Sequence, residues 1–341
     1  MYEEFFGLRE RPFELIPNPR FLFLSQHHQE ALTHLNYGLS GRPGITLVIG
    51  DAGTGKSTLI RAALENAHGD GSRIALMANP TLTRAEFYEA LSGALGFSSD
   101  AATSKTAFLR EMDESLAEAK KTGGIVAVIV DEAQSLPSEL LEELRLLTNA
   151  GADGHGSLTL VLVGQPELAD RLNDPALRQL KQRIALRAEL MSLSLKETAG
   201  YIASRITIAG GRADQVFTRD AVLAIHAASK GLPRVISVLC DNALVTGFAA
   251  NVRPVGSAIV ADVCKDFDLP RVKVAQVEPP RPAPKPAAPT PVAAPPPQPQ
   301  PQPSLADTHA AAEVQSSQPA REMFREVKEP RRFSFFRGAR G

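Results

Sequence analysis

Gly50-Asp51-Ala52-Gly53-Thr54-Gly55-Lys56-Ser57 stands between the apolar, β-rich run Ile45-Thr46-Leu47-Val48-Ile49 and Thr58-Leu59-Ile60-Arg61-Ala62-Ala63-Leu64, which has the composition of a helix. Strand, glycine loop and helix in that order is the setting of a P-loop. Glycines let backbone amides turn inward with no Cβ in the way, and the helix N-terminus adds its positive end, so the loop is built to cradle phosphate oxygens. Lys56 is placed to reach the β- and γ-phosphates of a nucleotide, and the hydroxyl of Ser57 to face Mg²⁺. The candidate phosphate-binding set is Gly50, Asp51, Ala52, Gly53, Thr54, Gly55, Lys56, Ser57 and Thr58.

The second motif is Ile125-Val126-Ala127-Val128-Ile129-Val130-Asp131-Glu132-Ala133-Gln134. Six apolar residues predict a buried parallel strand, and two carboxylates follow where it emerges, at the edge where open α/β sheets bind ligands. Asp131 is the candidate metal residue opposite Ser57, and Glu132 the candidate base for an attacking water. Their position, about 75 residues after the P-loop within one domain, is what gives an otherwise common acidic pair its meaning.

Three further positions bear on phosphate chemistry. The strand Leu158-Thr159-Leu160-Val161-Leu162-Val163 ends in Gly164-Gln165, which puts the Gln165 amide beside the hydrolytic water or, alternatively, on local loop amides. The run from Leu177 to Arg187 carries Arg178 and Arg183, either of which could reach a neighbouring copy's nucleotide if the chain forms a ring, Arg183 being preferred. From Leu195 onward the pattern predicts four helices, at about 196–209, 218–229, 233–249 and 255–267, with Ser194 and Thr218 as caps and Pro233 at a helix start. Arg234, just after Gly231-Leu232-Pro233, is the candidate arm from this helical lid to the β- and γ-phosphates.

Residues 6–24 mix large apolar side chains with prolines and predict an extended segment lying across the domain that follows. Ser25 caps a helix from about Gln26 to Leu39. His27, His28 and His34 have no further ligand at a supporting spacing and read as packing or solvent-facing residues. Thirteen of the 26 prolines lie between Pro279 and Pro303, which predicts a disordered polyproline spacer of roughly 80 Å at about 3.1 Å per residue. The chain closes on interleaved basic and aromatic residues, Arg331 to Arg340.

No apolar run approaches the roughly 20 residues that cross a bilayer, and the acidic start lacks the order of a signal peptide. Two cysteines, Cys240 and Cys264, suit neither a zinc site nor a redox pair. These features predict a cytoplasmic protein. The net charge of −1 hides an asymmetry: residues 270–341 carry 11 Lys/Arg against 6 Asp/Glu, leaving −6 on residues 1–269. That balance lacks the overall basic bias of a dedicated DNA-binding domain and makes the tail the positive end.

Together these motifs resemble the AAA+ ATPases of the ExeA type, also called general secretion pathway protein A, with relatives from pilus and exopolysaccharide or exosortase loci. The resemblance runs over about residues 1–268. It rests on Phe6-Gly7-Leu8, Pro12-Phe13 and Pro17-Asn18-Pro19-Arg20-Phe21, on Asp131-Glu132-Ala133-Gln134 and Leu144-Arg145-Leu146-Leu147, and on Val163 to Leu168, Gln182-Arg183-Ile184 and Gly231-Leu232-Pro233-Arg234. It implies an α/β P-loop AAA+ core with a five-stranded parallel sheet, an all-helical lid, ATP and Mg²⁺ as ligands, and sensor roles for Gln165 and Arg234. It also implies that the N-terminal segment flanks the adenine. The expected organisation is an N-terminal linker and helix on the ATPase core (1–40), the core (41–192), the lid (193–269) and the Pro-rich tail (270–341). The expected partners are further copies in a ring, with a hexamer as the expected size, and an envelope secretion-apparatus protein engaged through the tail. Peripheral contact with the inner membrane is a further expectation. The type member continues through a membrane span into a periplasmic region, so a soluble ATPase serving an envelope apparatus is expected here. A DNA-binding ATPase of the transposition target-selection type is the alternative.

Overall fold

A computed structural model describes residues 1–16, 18–40, 44–67, 71–78, 81–150 and 156–267. The expected Pro-rich spacer and the basic-aromatic end lie outside the described residues. In chain order the elements are α1 (Tyr2–Phe6), α2 (Gln26–Gly38), β1 (Gly44–Gly50), α3 (Lys56–Asn66), β2 (Arg73–Met77), α4 (Arg84–Leu95), α5 (Ser99–Thr103), α6 (Lys105–Thr122), β3 (Val126–Val130), α7 (Ser138–Leu147), β4 (Leu158–Gly164), α8 (Pro166–Arg171), α9 (Arg178–Gln182), β5 (Ile184–Leu190), α10 (Leu195–Ile208), α11 (Ala213–Val216), α12 (Arg219–Ser229), α13 (Pro233–Ala249) and α14 (Ser257–Asp266).

The five strands form one sheet in the order β2-β3-β4-β1-β5, and every pairing is parallel. The central strands β1, β3 and β4 are buried along nearly their whole length, as unbroken apolar runs require when helices cover both faces. Alternation then sorts their side chains. Leu47, Ile49, Val128, Val130, Leu160 and Leu162 join α4, α6 and α7 in one core, whereas Val48, Ile129, Val161 and Val163 meet α2 and α3 in the other. Each such side chain contributes about 1.5–3 kcal/mol when fully buried. The edge strand β5 alternates instead: Ala188 and Leu190 are buried while Ala185, Arg187 and Glu189 are exposed.

Because β4 lies between β1 and β3, the ends of all three strands meet at one edge. Ile49 pairs with Gly164 and Val130 with Leu162, so the P-loop, Asp131-Glu132 and Gln165 leave the sheet side by side.

Helices α10 to α14 form a bundle with its own core. Ser194 and Glu197 make a reciprocal cap on α10, Thr218 caps α12, and Pro233 opens α13. The N-terminal segment departs from expectation in part: Tyr2, Phe6, Leu8, Phe13 and Phe21 are built into the bundle's core, while Leu15 and Ile16 border the P-loop, Pro19–Phe21 meets α3 and Leu22 packs on the core beneath α2 and α3. Phe13 packs edge-on against Phe217 and Phe23 against Tyr201, the Tyr2 hydroxyl donates to Asp241, and Arg205, stacked on Phe21, donates to the carbonyl of Pro12. The physical reason is the demand of these aromatic rings for a deep apolar slot, which the bundle supplies. α2 meets the sheet through Ala31, Leu35 and Leu39.

Candidate functional site

The P-loop carries its turn through Gly53 (φ +84°) and Gly55 (φ +103°), conformations that side chains with a Cβ rarely adopt. Thr54, wholly buried, closes it by donating through N and Oγ1 to the carbonyl of Asp51, at 3.3 and 2.9 Å. Lys56 folds inside the loop, its Nζ donating to the carbonyls of Gly50 (2.7 Å) and Asp51 (3.0 Å). Burial lowers its pKa from the ordinary lysine value, opposed by the nearby carboxylates of Glu132 and Asp131.

Across the strand ends, the Ser57 hydroxyl donates to Asp131 Oδ2 at 2.7 Å. An exposed hydroxyl beside a buried carboxylate is the all-oxygen donor set of a hard divalent cation, so the residues fit Mg²⁺. Among the described residues no group of three or more His, Cys, Asp or Glu stands together as a metal site of its own. The glycine cradle with its internal lysine likewise fits a polyphosphate.

Glu132 sits at φ +53°, ψ +37°, a strained position for a residue other than glycine. Its backbone N–H donates to Asp131 Oδ1 at 2.9 Å. Two side-chain amides converge on its Oε2, Gln134 Nε2 at 2.5 Å and Gln165 Nε2 at 3.1 Å. Burial pushes the Glu132 pKa up, but these two hydrogen bonds and the charge of Lys56 outweigh it and hold the carboxyl below its ordinary value.

The bundle closes the cleft from the other side. The Arg234 N–H donates to the carbonyl of Gly53 at 3.1 Å, and a Cβ on Gly53 would lie 2.8 Å from Arg234 Cβ. The cleft between them, about 410 Å³, is lined by Ala52, Gly53 and Gly55 to Thr58 of the P-loop, by Glu132, Tyr201, Arg205 and Arg234, with Leu15 and Ile16 at its lip. A larger open groove, about 970 Å³, is lined by His27, Lys196, His226 and Lys230 and holds none of the P-loop residues.

Arg178 and Arg183 are not brought into this cleft. Arg178 is exposed on α9, and Arg183 donates to Thr148 Oγ1 and Asn149 Oδ1 at the end of α7. Two residues to which sequence reasoning gave no role in the site are central to it. Gln134 accepts the Gln165 N–H on Oε1 at 3.0 Å. His28, buried, donates from Nε2 to the carbonyl of Thr54 at 2.9 Å while its Nδ1 accepts from Ser25 Oγ at 2.6 Å; the two partners fix the tautomer. Gln134 lay in a quoted motif, but His28 reaches the P-loop only through the packing of α2, which no local pattern announces.

The geometry is that of a nucleotide-binding fold, and the comparisons agree. The family model for an AAA domain matches residues 39–172. General secretion pathway protein A of Aeromonas hydrophila is 42% identical over 251 residues, which are 73% of this chain and 45% of that protein. The chain carries an AAA domain of the general secretion pathway protein A type. It spans less than half the length of that relative. Among solved structures, the Aeropyrum pernix ORC2 protein aligns with a TM-score of 0.57 at 19% identity over 76% of this chain and 72% of its own. Cdc6p from Pyrobaculum aerophilum aligns with a TM-score of 0.57 at 17% identity, covering 75% and 70%. Both likenesses concern the fold of this AAA+ protein. No helix among its described residues is long and apolar enough to cross a membrane.

Proposed function

We propose that the protein is a Mg²⁺-dependent ATPase that drives assembly or remodelling of an envelope secretion, pilus or exopolysaccharide export apparatus. The observation that carries the reading is the convergence of Lys56, the 2.7 Å Ser57–Asp131 pair and Glu132 at one sheet edge. ATP is the substrate. The P-loop amides and Lys56 bind and orient its phosphates, and the apolar lip at Leu15 and Ile16 offers a wall for the base. Mg²⁺ held by Ser57 and Asp131 would neutralise phosphate charge. Glu132 takes a proton from the attacking water, and Gln165 orients it. Arg234 brings a cation from the bundle to the phosphates, where charge spreads in the transition state.

In this reading residues 41–192 are the ATPase module and 193–269 the lid, whose angle to the core answers to the nucleotide through the Arg234–Gly53 contact. Arg183, or else Arg178, serves a neighbouring copy's nucleotide in a ring. The relationship to general secretion pathway protein A supports an envelope client, and an export-apparatus protein or the inner-membrane surface is the partner.

The test is steady-state ATP hydrolysis by the full chain and by Glu132→Gln, alone, with duplex DNA and with anionic liposomes, while oligomer size is followed. Turnover in the wild type, and assembly with ATP but no turnover in Glu132→Gln, is expected. No activity above the Glu132→Gln background would overturn the reading. Strong, salt-sensitive stimulation by DNA would redirect it to nucleic acid.

A further inference from the structure

We propose that Gln134 is a positioning residue for hydrolysis, its one side-chain amide fixing both the Glu132 carboxylate and the β4 tip that carries Gln165. This deepens the ATPase reading and rests on it.

The neighbours of the Gln134 amide fix its orientation. The Gln165 N–H at the end of β4 points at Gln134 Oε1, 3.0 Å away. That assigns Nε2 to the other end of the amide, where it meets Glu132 Oε2. A flipped amide would set N–H against N–H and oxygen against carboxylate, so only one orientation satisfies both neighbours.

The surroundings are shaped to hold this side chain. A Cβ on Gly164 would lie 2.8 Å from Gln134 Oε1 and 2.8 Å from Leu168 Cδ2. Gly164 is not in the left-handed region, so the close approach of Gln134, rather than backbone freedom, favours glycine there. The turn that carries Gln134, Ala133–Ser135, follows directly on the strained Glu132. Arg171 of α8 donates to the Gln134 carbonyl and to Ser138 Oγ, tying that turn to the start of α7. Backbone and side chain of Gln134 are therefore both anchored.

The consequence concerns the base. The amides of Gln134 and Gln165 both engage Oε2 of Glu132, which leaves Oε1 as the oxygen that takes the proton from water. Without Gln134 the carboxylate keeps only the longer bond from Gln165, whose own backbone has lost its acceptor. Glu132 then turns out of line with the attacking water.

The experiment measures kcat and KM for ATP in the wild type, Gln134→Met, Gln134→Glu and Gly164→Ala, with melting temperature as the control for folding. Gln134→Met keeps the volume and removes both hydrogen bonds. It is expected to lower kcat about 100-fold with KM within about threefold, because the base is misplaced while the phosphate cradle is intact. Gln134→Glu keeps the acceptor for Gln165 but sets a carboxylate against Glu132 and turns it away, so kcat should fall at least as far with KM again little changed. Gly164→Ala intrudes on the same amide from β4 and should reproduce the loss in milder form with Gln134 still present.

If the wild type hydrolyses ATP and Gln134→Met retains its kcat, the inference is wrong while the ATPase reading stands. If the wild type itself shows no turnover above Glu132→Gln, the ATPase reading fails and this inference with it. A fall in kcat matched by a rise in KM, or by a fall in melting temperature, in both Gln134 variants would also overturn it, since a merely structural residue gives that result.

Discussion

Replacing His28 by Gln and by Leu separates two effects of one buried side chain. In the native protein His28 Nε2–H donates to the Thr54 carbonyl within the P-loop, and burial pushes the imidazole pKa down from its ordinary value of 6.5. The unfolded chain takes a proton on this histidine below about pH 6.5 and the folded protein resists it. The contribution of His28 to stability is therefore complete above that pH and is lost as pH falls toward the folded-state value. For one proton the slope cannot exceed about 1.4 kcal/mol per pH unit. For a protein of this size that ceiling corresponds to about 2–4 °C in melting temperature per pH unit. A glutamine at this position retains an N–H donor for Thr54 but does not titrate, so His28→Gln should stay near wild type at pH 7.5 and lack this part of the acid-side fall. A leucine leaves the Thr54 carbonyl without its donor, at a cost of about 1–3 kcal/mol at every pH. Because that carbonyl belongs to the P-loop, His28→Leu should also weaken nucleotide binding, by up to about tenfold for each 1.4 kcal/mol that falls on the bound state. The assay is thermal unfolding from pH 5 to 8 for the three proteins, with fluorescent nucleotide titration at pH 7.5. An acid-side slope in His28→Gln equal to that of the wild type would refute the reasoning.

Other substitutions probe the remaining contacts. Gly53→Ala adds a Cβ 2.8 Å from Arg234 Cβ at a φ of +84°; the combined strain of about 2–4 kcal/mol should part the bundle from the P-loop, which a raised KM for ATP and faster amide exchange at the start of α13 would register. Ser57→Ala removes the hydroxyl that bonds Asp131, so the Mg²⁺ concentration giving half-maximal turnover should rise at least tenfold while metal-free nucleotide binding changes little. Phe13→Ala empties a slot in the bundle core where the ring is 1% exposed and should cost about 3–5 kcal/mol, read in urea unfolding; an unchanged midpoint would mean that the N-terminal segment is not part of that core.

Much of this architecture is written locally. The P-loop and the Asp131-Glu132 pair announce themselves because backbone chemistry demands glycines and a strand end at fixed positions. The bundle helices show in their caps, Ser194, Thr218 and Pro233, which act within a single turn. What was not legible depends on distance along the chain. Strand β5 hides in a stretch that reads first as a run of cations, because an edge strand buries only alternate residues and Arg187 and Glu189 occupy the others. The aromatic residues of the first 23 positions look like a surface strap until the bundle nearly two hundred residues later supplies their slot. The link from His28 to Thr54 spans 26 residues and needs α2 already seated on the sheet. Gln134 is visible in its motif, yet its work requires the tip of β4.

The insertion of Phe6 and Phe13 into a core made by residues 195–267 has a cost in time. On the ribosome this segment emerges before the bundle, and its greasy rings stay without their full slot until about 250 further residues have been made. At about 5–20 residues per second that is a wait of roughly 12–50 s. Over that interval the nascent chain is a natural client for holding chaperones, and the sheet domain can collapse and close before its own beginning has found a home.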